Sequence, residues 1–506
     1  MTACDVIVIG GGHNGLVTAA ALAQKGRAVT LLEQHDVLGG LAVGDEFHPG
    51  FVSAGPWHDA STLSPGVLSL LDLDVASSPE SVFAPQRAED GPGLLLHHDP
   101  GRAAEEIARH SEQDAHRYGD YRAFIDRIRP FLRGLLETCP PTPNSIWSLI
   151  GPGLRLRRLG RADMLEFLRV GPMCMADWLN EYFQCEMLSS TLALPALAGT
   201  RTGPWSPGNA TNLLRYEALS HVGISGDAPA VIRALEDHAR RQGVTIRTGT
   251  RVTGIRTVGG SVQGVTLEGG ETIDATVVAA SCDPKQTLLD LIGPTALAPR
   301  MSQRIRTVRA SGAMAMVDLA LSGPLRFACR PELDVARARL VGTLDEVERA
   351  YDATKYGQYS TEPMLEVVVP TLGNPTMAPE GCHVASIMVH FAPHDLKSGW
   401  SEEDSAAMAD VVVNRLSTVV PGVRDLILSR RVRTPVDLEA RYRVTGGHVH
   451  HVEQALDQMI VRPDFECGRY ATPIGGLYLC GSGSHPGGGL TGLPGMLAAE
   501  TVLCQL

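Results

Sequence analysis

Apolar and polar positions divide the chain into short β-branched runs and longer stretches of helical spacing. Asp5-Val-Ile-Val-Ile9 is an apolar run closed by glycine, as a strand buried on both faces of a parallel sheet should be. Leu16 to Ala23 is rich in small residues and predicts a helix that can lie close on that sheet, ended by Lys25-Gly26. Ala28 to Leu32 predicts the neighbouring strand. Arg102 to Leu136 and Met164 to Leu197 carry apolar residues three or four apart and predict helices. Pro140-Pro141 and Gly203-Pro-Trp-Ser-Pro-Gly208 break that pattern. Asp227 to Gly243 predicts a helix capped by Asp227, with Ala228, Val231, Ile232, Leu235 and Ala239 on one face. Four strands should follow, at Val244–Arg247, Arg251–Ile255, Ser261–Leu267 and Thr272–Ala280. Met301–Leu319 and Pro363–Phe391 predict strands of a second sheet, beside helices at Asp334–Tyr351 and Glu402–Leu416. The chain closes with a strand at Gly476–Cys480, a glycine loop and a helix at Leu493–Leu503.

The chemistry begins in the first turn. Gly10-Gly11-Gly12-His13-Asn14-Gly15 satisfies G-x-G-x-x-G between a strand and a helix. Gly10 permits the turn, Gly12 lets the backbone approach a pyrophosphate, and Gly15 lets helix and strand pack closely. The pyrophosphate would rest on unpaired N–H groups at the positive end of the helix. Glu33 stands eighteen residues past Gly15, where an acid accepts hydrogen bonds from an adenosine ribose. A second glycine pair, Gly39-Gly40, leaves room for the rest of a large cofactor. The motif does not recur after another strand, so the chain shows one dinucleotide site.

Composition narrows the class. The chain has 506 residues, a net charge of −12, and 44% hydrophobic and 5% aromatic residues. That suits a globular protein of two or three domains and disfavours a nucleic-acid partner. No run reaches the eighteen or so apolar residues of a membrane span. The first strand starts so early that no removable leader is expected, and a cytoplasmic location follows. Ten scattered cysteines without C-x-x-C speak against a disulfide framework, a zinc ribbon or a dithiol reductase, and for buried reduced thiols. The basic stretch Leu154 to Arg161 reads as an arginine-rich connection between helices, the alternative being peripheral contact with an anionic membrane. Asp45 to Pro65 reads as a solvated loop around a packed Trp57, the alternative being His58 or Asp59 at an active site. His448, His450 and His451 lack a carboxylate or cysteine at ligand spacing, so no metal site is expected.

The run GGGHNGLVTAAALAQKGRAVTLLEQHDVLGG resembles the amino-terminal signature of the glutathione-reductase-type FAD superfamily, which includes amine oxidases, phytoene desaturases and Rab escort proteins. GLYLCGSGSHPGGGLTGLPG resembles the carboxyl-terminal motif of phytoene desaturases. It is closer still to the subgroup called pyridine nucleotide-disulfide oxidoreductase domain-containing protein 2. Gly446-Gly-His-Val-His-His451, Leu456 to Pro463 and Val277 to Pro284 are similar to further segments of that subgroup. One departure is Gly226-Asp227-Ala228-Pro229, where the family usually has Gly-Gly-Met-Gly; support for a flavin contact there is lost.

The resemblance implies an α/β protein with a glutathione-reductase-type FAD-binding Rossmann domain and an inserted α+β substrate domain. The FAD domain would comprise residues 1–75, 216–300 and 462–506. The substrate domain would comprise 76–215, with a helical insertion, and 301–461. It assigns FAD to Gly10, Gly12, His13, Asn14, Gly15, Glu33, Gly39, Gly40, Leu41, Val252, Gly481, Gly488 and Leu493. The amino end of the closing helix would aim N–H groups at the N1–C2=O edge of reduced flavin. His485 and His451 would face the ring, His485 either acting on substrate or holding the loop. The implied activity is hydride transfer from a substrate C–H to flavin N5, by a dehydrogenase or desaturase. A polyprenoid or another hydrophobic small molecule is the implied substrate, with oxygen or a quinone as acceptor. A flavin amine oxidase and a non-catalytic prenyl escort protein are the alternatives; the intact glycines favour the enzyme. Ketolation or isomerisation stays open within the subgroup, and no oligomeric state follows.

Overall fold

The computed structural model describes residues 5–73, 81–141, 147–220, 228–459 and 461–506, with side chains from residue 150 onward in the helix Trp147–Arg158. Five parallel strands form the first sheet, in the order Leu477–Leu479, Val277–Ala280, Val6–Ile9, Val29–Leu32, Thr245–Arg247. Val6 pairs with Val277 on one side and Val29 on the other. All four residues of the central strand are buried, each contributing about 1.5–3 kcal/mol of hydrophobic stabilisation. The helices His13–Gln24, Ala228–Arg241 and Leu493–Gln505 cover this sheet through small and aliphatic side chains. The chain thus switches sides at the first strand, and ligands bind at the carboxyl ends of strands beside such a point.

A three-stranded antiparallel sheet (Thr272–Asp274, Ser261–Leu267, Val252–Val258) lies beside it. A seven-stranded sheet carries the second core. Its order is Ile427–Arg433, Met314–Leu321, His383–His390, Leu365–Val368, Arg337–Leu340, Val82–Ala84, Leu94–Leu96. Helices from Pro100 to Leu219 pack against the first core, around the fully buried Trp178 and Tyr121.

Three elements differ from the periodicity. Residues 301–307 belong to a helix, Pro299–Thr307, whose Met301 and Ile305 are buried one turn apart; the strand starts only at Met314. Arg337–Leu340, expected to be helical, is a buried strand, and its helix begins later at Leu344 behind a Thr343–Glu346 capping box. Its alternating arginines disguised it, because their acidic partners come from elsewhere. Thr272–Ala280 is two strands, since the chain leaves the small sheet after Asp274 and enters the large one at Val277.

The cap at Asp227 and the departure at Gly226-Asp227 lie outside the described residues, as does Cys4. The nine described cysteines are free thiols, Cys174, Cys467 and Cys480 among them buried. The basic stretch lies in the helix Trp147–Arg158 and the turn to the next, Arg161–Val170. Leu156 and Leu159 pack on the core, and Leu154 is exposed. No described helix is long and apolar enough to cross a membrane.

Candidate functional site

The glycine turn does its work through two opposite uses of a missing side chain. Gly10 has φ +95°, and a Cβ at Gly15 would fall 2.0 Å from the Gly10 carbonyl oxygen, so the helix reaches the strand only on glycine. A Cβ at Gly12 would meet nothing within 4 Å, because that backbone faces an open groove. The helix His13–Gln24 has neither a side-chain cap nor an acid in its first turn. Its leading N–H groups are left for an anion.

The groove runs from the second strand to the closing loop and encloses about 1090 Å³, part of it open to solvent. Glu33 lies at one end, its Oε2 accepting from the Gly11 N–H at 2.6 Å and its Oε1 from the His35 N–H at 2.9 Å. Each oxygen keeps a further lone pair for a ribose hydroxyl. Arg251 and Val252 lie there too. Gly39, φ +118°, turns the chain past Gly40 and Leu41 towards Trp57, whose backbone N–H donates to the Leu41 carbonyl at 2.8 Å. Ser281, Ser482, Gly489 and His451 line the other end. Asn14 Nδ2 donates to Ser482 Oγ at 3.1 Å, tying the opening turn to the closing loop. Buried His13 Nε2 and Asn14 Oδ1 have no hydrogen-bond partner among the described residues. Burial lowers His13 to about 4 and His451 to about 3, so both imidazoles are neutral here.

These residues fit FAD: an ungated backbone at Gly12, an open helix terminus, an acid at the second strand and unpaired polar atoms along a groove of sufficient length. The sequence candidates Gly10, Gly12, His13, Asn14, Glu33, Gly39, Gly40, Leu41, Val252 and His451 all line it. Gly15 supports it from beneath. Four candidates move. His485 does not line the groove; its Nε2 contacts the Leu135 carbonyl at 3.1 Å, so it holds the loop. Gly481 packs the loop on the sheet, where a Cβ would fall 2.3 Å from the Ser281 carbonyl oxygen. Leu493 is fully buried and spends its N–H on Thr491 Oγ1 at 3.3 Å, so the expected flavin contact is not made from that residue. Gly488 faces a second cavity.

That cavity adjoins the groove across Trp57 and Gly489, which line both. It encloses about 600 Å³, part of it open to solvent. The helices Glu186–Leu197 and Ala210–Leu219, the strands Leu365–Val368 and His383–His390, and the 450s loop enclose it. His450 Nε2 lies 2.8 Å from the Ala198 carbonyl, and its ring packs edge-on against Trp57 at 4.8 Å. Burial holds His450 well below its ordinary value, so Nε2 carries the proton and Nδ1 is an acceptor. A Cβ at Gly488 would fall 2.1 Å from that Nδ1.

Of the segment expected as a solvated loop, Glu46, Pro49 and Gly50 are exposed, but most of Phe51 to Ser64 is buried. His58 is 1% exposed, with Nε2 3.2 Å from Glu366 Oε1, and Asp59 lies 3.6 Å from Arg337. Arg337 and Arg339 neutralise it from the second sheet, which no local pattern reveals. Sequence reasoning missed Ser281 in the groove, although VVAASCDP marked its strand. It also missed Asn212, Arg215 and Tyr216 in the cavity, whose one signal is their i, i+3, i+4 spacing on a helix.

Comparisons with known proteins agree with this geometry. Residues 8–63 match an NAD(P)-binding Rossmann-like domain and residues 207–432 an FAD dependent oxidoreductase domain. Mouse pyridine nucleotide-disulfide oxidoreductase domain-containing protein 2 is 30% identical over 99% of this chain and 94% of its own. A lycopene-forming phytoene desaturase from Pantoea ananas is 25% identical over 98% of each chain. The fold is that of an oxidoreductase from Methanosarcina mazei, with TM-score 0.62 and 19% identity over 99% of both chains. With the dinucleotide groove, the glycine turn and full-length similarity in agreement, the chain belongs to the FAD-dependent oxidoreductase family that includes pyridine nucleotide-disulfide oxidoreductase domain-containing protein 2.

Proposed function

We propose that the protein is a dehydrogenase that removes hydride from a substrate C–H, leaving a C=C or C=N bond. The observation that carries this is the adjacency of the two spaces: the cofactor groove and the enclosed cavity share Trp57 and Gly489 as their wall. FAD supplies the hydride acceptor at N5 when bound. The chain supplies the rest. Gly12 and the open helix end hold the pyrophosphate, Glu33 the ribose, and Leu41, Trp57, Ser482 and His451 the ring end. Trp57 and the Gly488-Gly489 turn keep bulk water from the cavity, and His450 presents a neutral acceptor beside it. Reoxidation by oxygen or a quinone accords with a single dinucleotide motif.

The test is anaerobic reduction of the purified flavoprotein by a panel of alcohols, amines, carboxylic acids and polyenes, followed by bleaching of the flavin band. Reduction by one class supports the reading. Purification without flavin, even after reconstitution with FAD, defeats it.

A further inference from the structure

Within that reading, on which this inference rests, the cavity's own chemistry narrows the substrate. One face of the helix Ala210–Leu219 turns Asn212, Arg215 and Tyr216 into it, at i, i+3 and i+4. Among the described residues, both amide atoms of Asn212 are buried without a hydrogen-bond partner. So are Trp57 Nε1, Thr62 Oγ1 and Gln454 Nε2 around the same space. Buried polar atoms are satisfied in the great majority of cases, so a cluster of them facing one cavity marks groups that a ligand completes.

The charge balance is more specific. Arg339 lies 3.0 Å from Glu366, and Arg337 3.6 Å from both Asp59 and Glu366, so two arginines meet two acids. Buried Arg462 has Glu453 acting on it. Among the described residues Arg215 meets no acid: it donates to the carbonyls of Pro486, at 3.2 Å, and Gly488. Carbonyls orient a guanidinium without neutralising it. Arg215 and Asn212 line the same cavity one helical turn apart, and one positive charge is left over there.

We propose that Arg215 and Asn212 form a carboxylate subsite, and that the substrate is a monoanionic carboxylic acid rather than a polyprenoid. A planar fork of N–H donors matches a carboxylate geometrically. A monoanion cancels the one surplus charge, whereas phosphate would add a second negative charge beside Asp59 and Glu366. The cavity encloses about 600 Å³ against the groove's 1090 Å³, both partly open to solvent, so it takes a molecule smaller than the dinucleotide. A long polyene would have to displace water from unpaired polar atoms and return nothing to them.

The experiment uses the FAD-loaded protein. Acetate, propionate, butyrate and benzoate are titrated against their amides, inorganic phosphate and geranylgeraniol in detergent micelles, read by flavin difference spectra and by calorimetry. Carboxylates should bind at least tenfold more tightly than the matching amides or phosphate. R215M and N212L should each weaken carboxylate binding tenfold or more, R215K less, with flavin content unchanged. Equal binding of acids and amides overturns the proposal, leaving a water-filled void. Preference for phosphate or for geranylgeraniol overturns it too. Loss of flavin in R215M with unchanged carboxylate affinity in N212L would assign Arg215 to the cofactor instead. A wild-type protein that holds no FAD would defeat the functional reading, whatever calorimetry shows of the anion.

Discussion

Gly12 and Gly15 sit three residues apart and should answer alanine in opposite ways. At Gly12 a methyl group enters open groove and strains nothing in the chain, since its φ is −69°. G12A should therefore leave the stability of the flavin-free protein within about 0.5 kcal/mol, while blocking the approach of a pyrophosphate. At Gly15 the methyl group meets the Gly10 carbonyl oxygen at 2.0 Å. G15A should cost about 1–3 kcal/mol, as overpacking does, with or without flavin. Denaturation of the apoproteins and flavin content after reconstitution separate the two; equal stability losses would contradict the assignment of Gly12 to the ligand. The sequence shows these roles because both are written in residue type and spacing. It does not show Trp57, Asn212 or Arg215 in the same way. Their importance comes from what lies across a cavity, and their neighbours arrive from the 360s, 450s and 480s.

The strand Leu365–Val368 carries the charge that the second sheet is built around. Glu366 pairs in register with Arg339 on the neighbouring strand and also meets His58 and Arg337. Burial alone would raise its pKa, but Arg339 and Arg337 outweigh burial and hold it well below the carboxylate range. E366Q leaves two buried guanidinium groups short of an acid and should cost about 3–5 kcal/mol, read from denaturant midpoints at pH 7. Because the folded value is depressed, this stabilisation is present above the unfolded pKa of about 4.3 and is lost as pH falls through the folded value. Buried His390, on the strand His383–His390, acts in a higher window. Burial lowers it from 6.5 to about 4, so the unfolded chain takes up a proton first and stability falls as pH drops across that range. H390L should lower the slope between pH 6.5 and 4 by about one proton's share, leaving the part due to His13, His450 and His451, whose values burial also lowers. These elements also show where periodicity misleads. Arg337–Leu340 reads as polar and helical, yet its arginines are buried because acids on other segments meet them. The parallel strands, being apolar throughout, carried their identity in their own residues.

At the scale of the whole molecule, the dinucleotide site is completed from opposite ends of the chain. The strand Leu477–Leu479 extends the first sheet beside Val277–Ala280, and the helix Leu493–Gln505 packs on the helix that opens the site. The contact is close: a Cβ at Gly495 would lie 2.3 Å from the Asn14 carbonyl oxygen, and Thr18 Oγ1 donates to the Gly495 carbonyl at 3.1 Å. Asn14, on the same turn, reaches Ser482. The glycine turn at residues 10–15 is therefore held in place by residues more than 460 positions later. G495V should push the two helices apart, and stability and flavin affinity should fall together, unlike the divided response at Gly12 and Gly15. A chain ended at residue 475 keeps the whole amino-terminal motif but bares the edge of Val277–Ala280 and the apolar face of the opening helix. That chain should retain no flavin and should aggregate through the uncovered strand. Soluble, flavin-loaded protein from it, by size exclusion with absorbance at the flavin band, would show the opening motif to be a self-sufficient site and would refute the two-ended construction.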